Sequence, residues 1–115
     1  IDYCGGIEKA LDKAYTYVQE KKPGLKIEIE TRSLDDVKRV VAFGKADRIM
    51  LDNFTPEQLR EALKIINGKF ETEASGGINL GNVTAYAQTG VDYVSVGAVI
   101  HHAVSADLSL KAVLI

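Results

Sequence analysis

Acidic residues stand at two points of the sequence where short strands are predicted to end. The alternating segment 25–30 puts Glu28 and Glu30 on one face of a strand, and the apolar run 48–51 is followed directly by Asp52. Carboxylates that face a protein interior are costly unless they are paired, hydrated or bound to a ligand. Because Mg²⁺ is usually held by one or two carboxylates with waters and substrate phosphate, Glu30 and Asp52 could together hold a hydrated Mg²⁺ or sugar hydroxyls. Glu28 lies on the same face as Glu30, and the alternative to a role in this site is that Glu28 is an exposed or ion-paired residue.

Glycines follow the other two predicted strands. Ser75, Gly76 and Gly77 come after the segment 69–74, and Gly97 comes after the segment 93–96. Glycines let the backbone approach a bound group closely and point N–H groups at it. A helix that is predicted to begin near Asn79 would add its positive N-terminal end. The pattern indicates an anion site of the kind that binds phosphate, and the alternative is that these glycines only turn the chain.

Two adjacent histidines, His101 and His102, close the list of candidate residues. Neighbouring side chains do not both face one site in regular structure, and no matching metal-ligand spacing is present. We take His101 as a further candidate for binding substrate or phosphate, beside the alternative that the pair belongs to an ordinary loop. The sequence has no Walker loop, no Cys–His metal cluster and no serine nucleophile elbow.

The elements that must position these residues alternate regularly between strand and helix. Strands are predicted to begin near positions 26, 48, 69 and 93, which are 22, 21 and 24 residues apart. Strand, helix and strand at this spacing are typical of parallel strands joined by right-handed crossovers. Four such strands suit part of a barrel or a small open doubly wound sheet, and in both the ligand binds at the carboxyl ends of the strands.

Capping residues place the predicted helices between these strands. The first helix covers about 6–21, and the second begins after Ser33, with Asp36 in the capping-box position, and ends at Gly44. The third begins at Thr55, with Pro56 in the first turn and Gln58 completing a capping box, and it ends at Gly68. The fourth is predicted from Asn79 to Gly90, and the tail around Leu108 is predicted to form a last helical turn.

Composition restricts the class of protein. The chain has 115 residues, the size of one small domain, and its net charge of −2 argues against broad capture of nucleic acid, which needs a basic face. It contains no apolar run long enough to span a bilayer and no secretory signal pattern. Its single cysteine, Cys4, cannot form an internal disulfide, which suits a reducing compartment, and we expect a cytoplasmic protein.

Six segments, taken in order, resemble the quinolinate phosphoribosyltransferase family. They are 5–8 (GGIE), 26–30 (KIEIE), 50–53 (MLDN), 73–78 (EASGGI), 91–98 (VDYVSVGA) and 107–111 (DLSLK). Each segment is weak evidence alone, but the ordered set extends over essentially the whole chain and is highly specific.

The resemblance implies a fold and an activity. The fold is α/β, a partial parallel-strand (β/α) barrel of TIM type with about four strands, which forms the C-terminal part of the enzyme. The activity is that of a pentosyltransferase of NAD biosynthesis: phosphoribosyl pyrophosphate (PRPP), quinolinate and Mg²⁺ give nicotinate mononucleotide, pyrophosphate and CO₂. On residue matching, Glu30 and Asp52 engage ribose hydroxyls and magnesium, and the phosphate is held by Ser75, Gly76, Gly77 and Gly97. The resemblance also implies that the enzyme is a homodimer or higher homo-oligomer.

One departure from the family concerns the start of the chain. The sequence opens at Ile1 without Met, and the family's Lys-Asp-Asn-His-like segment and the upstream basic residues that bind the substrate carboxylates are not in it. We therefore interpret residues 1–115 as part of the barrel, with the N-terminal domain and first barrel strands outside them, and expect no quinolinate turnover by these residues alone. The alternatives are another phosphate-binding barrel enzyme and a catalytically inactive α/β fragment.

Overall fold

A parallel sheet with one antiparallel edge strand forms the centre of the molecule in a computed structural model, which describes residues 6–21, 24–97 and 99–103. Within these residues the sheet has five strands in the order β1-β2-β3-β4-β5, and β5 alone runs antiparallel. Spatial order follows chain order without a reversal, as in a barrel wall and unlike a doubly wound sheet. The strands are Glu28–Thr31, Arg48–Asp52, Glu71–Ser75, Tyr93–Val96 and Val99–His102.

Four helices in the described ranges lie between or before the strands, and consecutive helices contact one another. Their buried residues and alternate residues of the strands form one apolar core. Ile29, Ile49 and Leu51 are buried in this core, as the predicted alternation of strand residues requires. None of these helices is long and apolar enough to cross a membrane. The helices are α1 Gly6–Lys21, α2 Leu34–Phe43, α3 Pro56–Ile66 and α4 Val83–Ala87.

Local hydrogen bonds explain where α2 and α3 begin. Thr55 and Gln58 form the complete capping box that the sequence predicts for α3, with each side chain accepting from the other's backbone N–H. Ser33 caps α2 by accepting from the Asp36 N–H, but the Asp36 carboxylate accepts from the Arg32 N–H, one residue before the cap. The carboxylate of Asp36 thus fixes the backbone that leaves β1.

The predicted boundaries differ from the observed ones at α3 and α4. The first left-handed residue after α3 is Asn67, with φ 52°, and Gly68 follows it. The α-helix predicted from Asn79 begins only at Val83, because the Asn79 side chain accepts from the N–H groups of Gly81 and Asn82 and holds a turn there.

The end of the sheet also differs from the prediction. β4 is followed by a fifth strand, the antiparallel β5, where the sequence predicted only four strands. The predicted roles of Cys4 and of the segment 107–111 lie outside the described residues.

Carboxylates fasten the amino-terminal edge of the sheet. Asp47, just before β2, accepts a hydrogen bond from the Ile27 N–H at 2.7 Å. Asp92, just before β4, accepts from both the N–H and the hydroxyl of Thr72, at 2.9 and 3.0 Å. Each carboxylate therefore ties the start of its own strand to the backbone of the preceding strand, and both contacts are partly buried.

Candidate functional site

Strand alternation and register bring the predicted site residues to one face of the sheet, opposite the apolar core. Glu30 pairs with Met50 across β1 and β2, and Asp52 pairs with Ser75 across β2 and β3. Met50 and Asp52 are two residues apart and so face the same side. Glu30, Asp52 and Ser75 therefore share the side of the sheet that would face the interior of a closed barrel, and they lie toward its carboxyl edge.

An arginine that the site prediction did not include binds Glu30 and lies close to Asp52. Arg32, the residue after β1, contacts one oxygen of Glu30 through both Nε and Nη2 at 2.9 Å. Its Nε also lies 4.0 Å from Oδ2 of Asp52. The Glu30 and Asp52 side chains are partly exposed, so this edge of the sheet presents two solvent-accessible carboxylates with a cation between them.

A left-handed backbone and the close approach of Asp52 and Asn53 favour glycine at position 76, at the end of β3. Its φ is +89°, and a Cβ built there would lie 2.6 Å from Oδ1 and 3.0 Å from N of Asn53, and 2.8 Å from Oδ1 of Asp52. Asn53 itself adopts φ +60° and donates its N–H to the carbonyl of Ser75 at 2.9 Å. The glycine loop after β3 is thus pressed directly against the acidic end of β2.

Gly77 and Gly97 differ from Gly76. Both have positive φ, +72° and +63°, but a Cβ on either would meet no atom of the described residues within 4 Å, apart from its chain neighbours. Within the described part of the chain this side of the backbone is open, and both residues are exposed. This is the geometry expected of a loop that leaves room for a bound group. The positive φ would by itself also explain why glycine occurs at both positions.

The helix end that was expected to reinforce this loop lies further along the chain. Because the turn at Asn79 delays α4 to Val83 and leaves it only five residues long, its N-terminus does not follow directly on Gly77. The Asn82 side chain instead donates to the carbonyl of Gly77 at 2.9 Å and steadies the loop. Any anion held here would depend on the loop N–H groups rather than on a helix dipole.

His101 is not brought to this face. In the β4–β5 hairpin His101 pairs with Val94, a core residue, so its side chain lies on the helix-covered side of the sheet. His102 pairs with Tyr93 and packs edge-on against its ring, with 5.4 Å between the ring centroids. His102 is therefore the histidine on the same side as Glu30, and only the unrecognised strand β5, through its alternation, could have indicated this.

A second charged group, centred on Arg48, covers the amino-terminal half of the same face. Its guanidinium lies 3.8 Å from Glu28, 3.6 Å from Glu71 and 3.5 Å from Glu73, and it stacks 4.1 Å from the ring centre of Tyr93. The Glu73 side chain is almost completely buried. Burial, with the hydrogen-bonded Glu73 carboxyl beside it, raises the pKa of Glu28 to about 7, although Arg48 opposes the shift. Glu28 is thus part of the Arg48 ion network, at its solvent-exposed side, and lies apart from the Glu30–Asp52 pair.

The donor set at the carboxyl edge suits a metal ion that arrives with its own ligands. Among the described residues no group of three or more histidine, cysteine or carboxylate side chains is arranged to hold a metal ion. Two hard carboxylate oxygens from Glu30 and Asp52 are nevertheless the kind and number of protein ligands that Mg²⁺ uses when phosphate and water supply the rest. The residues present fit a magnesium–phosphate complex better than a bare ion.

Comparisons with known proteins agree on one family. Residues 1–111 match the family model described as quinolinate phosphoribosyl transferase, C-terminal domain. The chain is 38% identical over 125 aligned residues to quinolinate phosphoribosyltransferase [decarboxylating] 2, mitochondrial, of Nicotiana glauca, covering 96% of this chain and 36% of that protein. The chain thus spans about a third of the length of the curated relatives it matches.

Solved structures extend this agreement to the fold. The nicotinate-nucleotide pyrophosphorylase of Francisella tularensis superposes with a TM-score of 0.72 at 39% identity, over 86% of this chain and 35% of that one. An aldolase, QR15, superposes with a TM-score of 0.67 at 20% identity over 93% of this chain and 53% of that one, which bears on the fold alone. The α/β partial-barrel prediction is confirmed by these likenesses and by the sequential order of the strands.

Proposed function

Because the chain belongs to the quinolinate phosphoribosyl transferase family, as its C-terminal domain, we propose that it forms the phosphoribosyl-binding part of an enzyme of NAD biosynthesis. The reaction is transfer of the phosphoribosyl group of PRPP to quinolinate with loss of CO₂, giving nicotinate mononucleotide and pyrophosphate. The observation that carries the proposal is the contact between the glycine loop after β3 and the acidic end of β2. It sets a candidate phosphate cradle beside two carboxylates suited to a sugar.

The two parts of this edge would bind different parts of the substrate. The N–H groups of Gly76, Gly77 and Gly97 and the Ser75 hydroxyl would hold the 5′-phosphate, where open space beside Gly77 and Gly97 supports the assignment. Glu30 and Asp52 would accept hydrogen bonds from the ribose hydroxyls. Such contacts fix the sugar so that its anomeric carbon and the incoming ring nitrogen meet in a defined geometry.

Glu30 and Asp52 would also hold Mg²⁺. When bound, the ion neutralises charge on the pyrophosphate leaving group. The protein's own contribution is electrostatic, since the bond from the sugar to the leaving group breaks with oxocarbenium-like charge on the ribose. Fixed carboxylates close to that charge favour the transition state over the ground state.

The remaining contacts of the reaction would come from outside these residues. Quinolinate carries two carboxylates and needs cations, yet both arginines described on this face of the sheet are engaged, Arg32 with Glu30 at the carboxyl edge and Arg48 with its acidic neighbours toward the amino-terminal edge. We extend the proposal to a homodimer or higher homo-oligomer in the cytoplasm, supported by the family resemblance and by the lone cysteine. The relative from Nicotiana glauca is named as mitochondrial, so fractionation of the native host would test the compartment.

A coupled assay tests the function directly. The protein at its full natural length, incubated with quinolinate, PRPP and Mg²⁺, should release pyrophosphate and CO₂ in equal amounts and form nicotinate mononucleotide. Residues 1–115 alone, purified and shown to be folded by circular dichroism, should release neither. Absence of product from the folded full-length protein would reject the proposed reaction, and turnover by residues 1–115 would show that these residues suffice.

A further inference from the structure

Asn53 turns the chain between the acidic end of β2 and the glycine loop after β3. Its backbone has φ +60°, in the left-handed region that glycine and asparagine enter most readily. Its N–H donates to the carbonyl of Ser75 at 2.9 Å, which extends the contact between β2 and β3 beyond the paired residues Asp52 and Ser75. The backbone of Asn53 is thus fixed, but this turn alone would be served as well by glycine.

The side chain of Asn53 lies beside the Asp52 carboxylate. A Cβ built on Gly76 would be 2.6 Å from Oδ1 of Asn53 and 2.8 Å from Oδ1 of Asp52. The two side-chain oxygens therefore lie close to a single point, on the same side of the glycine loop. The other Asp52 oxygen, Oδ2, is the one that lies 4.0 Å from Nε of Arg32. Asn53 thus approaches Asp52 from the side of the loop, whereas Arg32 approaches it from the side of β1.

The Asn53 carboxamide is available to a ligand. The residue is exposed, and among the residues that the structure describes its side chain makes no hydrogen bond. A carboxamide offers two N–H donors and an acceptor oxygen, whereas an ionised carboxylate only accepts. A sugar hydroxyl both donates and accepts, so a hydroxyl that donates to Asp52 still needs a donor for its own oxygen. The NH₂ group of Asn53, next to that carboxylate, can supply it.

We propose that Asn53 is a further substrate-binding residue, whose Nδ2 donates to the sugar hydroxyl from which Asp52 accepts. A pentose 5-phosphate that reaches from the loop 75–77 to the Asp52 carboxylate passes the Asn53 carboxamide. Asp52 and Asn53 together satisfy the hydroxyl in both directions and so favour a hydroxylated sugar phosphate over phosphate alone. This inference rests on the proposed function, because it takes the phosphoribosyl group as the ligand of this edge.

Substitution by glycine separates the side chain of Asn53 from its backbone. Glycine adopts φ +60° without strain, so Asn53→Gly should keep the turn and the hydrogen bond to Ser75. In calorimetric titrations of the full-length protein, Asn53→Gly should bind ribose 5-phosphate about three- to tenfold more weakly than wild type, because one hydrogen bond is lost. Inorganic phosphate should bind both proteins equally, since the glycine loop is unchanged.

Two further variants control for the backbone and for the shape of the side chain. Asn67 also has a left-handed backbone, with φ 52°, but it ends α3 at the opposite edge of the sheet, so Asn67→Gly should change neither affinity. Asn53→Asp keeps the size of the side chain and tolerates the same φ but has no N–H donor. Its affinity for ribose 5-phosphate, relative to its affinity for inorganic phosphate, should therefore fall as in Asn53→Gly.

A role for Asn53 in the turn alone predicts a different result. Asn53→Gly would then bind ribose 5-phosphate as tightly as wild type, which would overturn the proposal. An equal loss of affinity for ribose 5-phosphate and for inorganic phosphate would also overturn it, because the defect would then lie in the loop. Failure of the proposed function is a separate outcome: wild type would show the dependence on Asn53 but form no nicotinate mononucleotide from PRPP and quinolinate.

Discussion

The two edges of the sheet use the same kind of residue in different ways. At the amino-terminal edge, Asp47 and Asp92 accept hydrogen bonds from backbone N–H groups of the neighbouring strand, at 2.7 and 2.9 Å. At the carboxyl edge, Glu30 and Asp52 face an exposed arginine side chain. A backbone partner is part of the fold and does not leave, whereas a side-chain partner can be exchanged for a ligand.

This difference separates the structural carboxylates of the sheet from those that are proposed to bind ligand. Removing an amino-edge carboxylate leaves a partly buried N–H group without its acceptor, which lowers stability. Removing a carboxyl-edge carboxylate breaks a partly exposed ion pair, whose contribution to stability is small, and removes a group that is proposed to bind ligand. Variants at the two edges should therefore fail in different assays.

The largest effect is expected from Asp52→Asn in the full-length protein. The amide keeps the shape of the side chain but loses the charge that the proposed reaction needs, so kcat/KM should fall by about 100-fold or more. The midpoint of urea unfolding should remain close to that of wild type, because the lost contact is a partly exposed 4.0 Å ion pair. Full activity in folded Asp52→Asn would remove Asp52 from the site.

The two loop glycines should differ in stability. Gly76→Ala places a Cβ 2.6 Å from Asn53 and forces a positive φ, and we expect a loss of about 3 kcal/mol in the free energy of unfolding. Gly77→Ala also places a side chain on a residue with positive φ, but its Cβ would enter open space. The free energy of unfolding should therefore fall by only about 1 kcal/mol. Urea unfolding monitored by circular dichroism measures both. Equal losses would mean that the loop relaxes away from Asn53.

Asp92→Ala tests the other edge. It removes the acceptor of the Thr72 N–H and hydroxyl, and the free energy of unfolding should fall by about 2 kcal/mol. Asp92→Asn keeps one acceptor oxygen and should lose less. Because Asp92 lies at the amino-terminal edge, kcat/KM of both variants should remain within about threefold of wild type at temperatures where they are folded. A large loss of kcat/KM in folded Asp92→Asn would break the division between the edges.

The smallest effect concerns pH and the Arg48 network between the edges. Burial and the adjacent Glu73 carboxyl raise the pKa of Glu28 from 4.5 to about 7, so the folded chain binds more protons than the unfolded chain between these values. The contribution to stability is complete below about pH 4.5 and is lost as the pH rises toward 7. Since Glu28 is partly exposed, solvent screening limits the change to about 1 kcal/mol.

Thermal unfolding of wild type and Glu28→Gln at pH 5 and pH 8 measures this change. The difference in stability between the two proteins should shift in favour of Glu28→Gln at pH 8, because the amide stays neutral when the carboxyl of wild type has ionised. A difference that does not depend on pH would show that Glu28 titrates normally.

Much of this architecture could be predicted from local sequence. Alternation in 25–30 correctly indicated which side of β1 is buried, and Thr55, Pro56 and Gln58 correctly marked the start of α3, because both signals act within a few residues. The edge of the sheet that carries Glu30, Asp52 and Ser75 also followed from parallel topology. Whether those residues bind ligand stays a prediction.

The parts that were missed depend on contacts between distant residues. Arg32 follows the predicted strand as an ordinary polar residue, and only the folded chain places its guanidinium on Glu30 and within 4.0 Å of Asp52. The role of His101 was assigned without knowing that it lies in a strand, and the register of β5 with β4 decides its side. The turn at Asn79 imitates a helix start, because a capping residue and a turn-forming asparagine use the same side-chain hydrogen bonds.

One NMR titration tests the central claim, that the carboxyl edge of this sheet binds the phosphoribosyl substrate. Glycines occur at both edges, with Gly76, Gly77 and Gly97 at the carboxyl ends of strands and Gly44, Gly68 and Gly90 before their amino-terminal starts. Full-length protein labelled with ¹⁵N-glycine should show shifts of the first three signals on addition of PRPP and Mg²⁺, while the last three stay in place. Shifts confined to Gly44, Gly68 and Gly90, or no shift at saturating PRPP, would contradict the account.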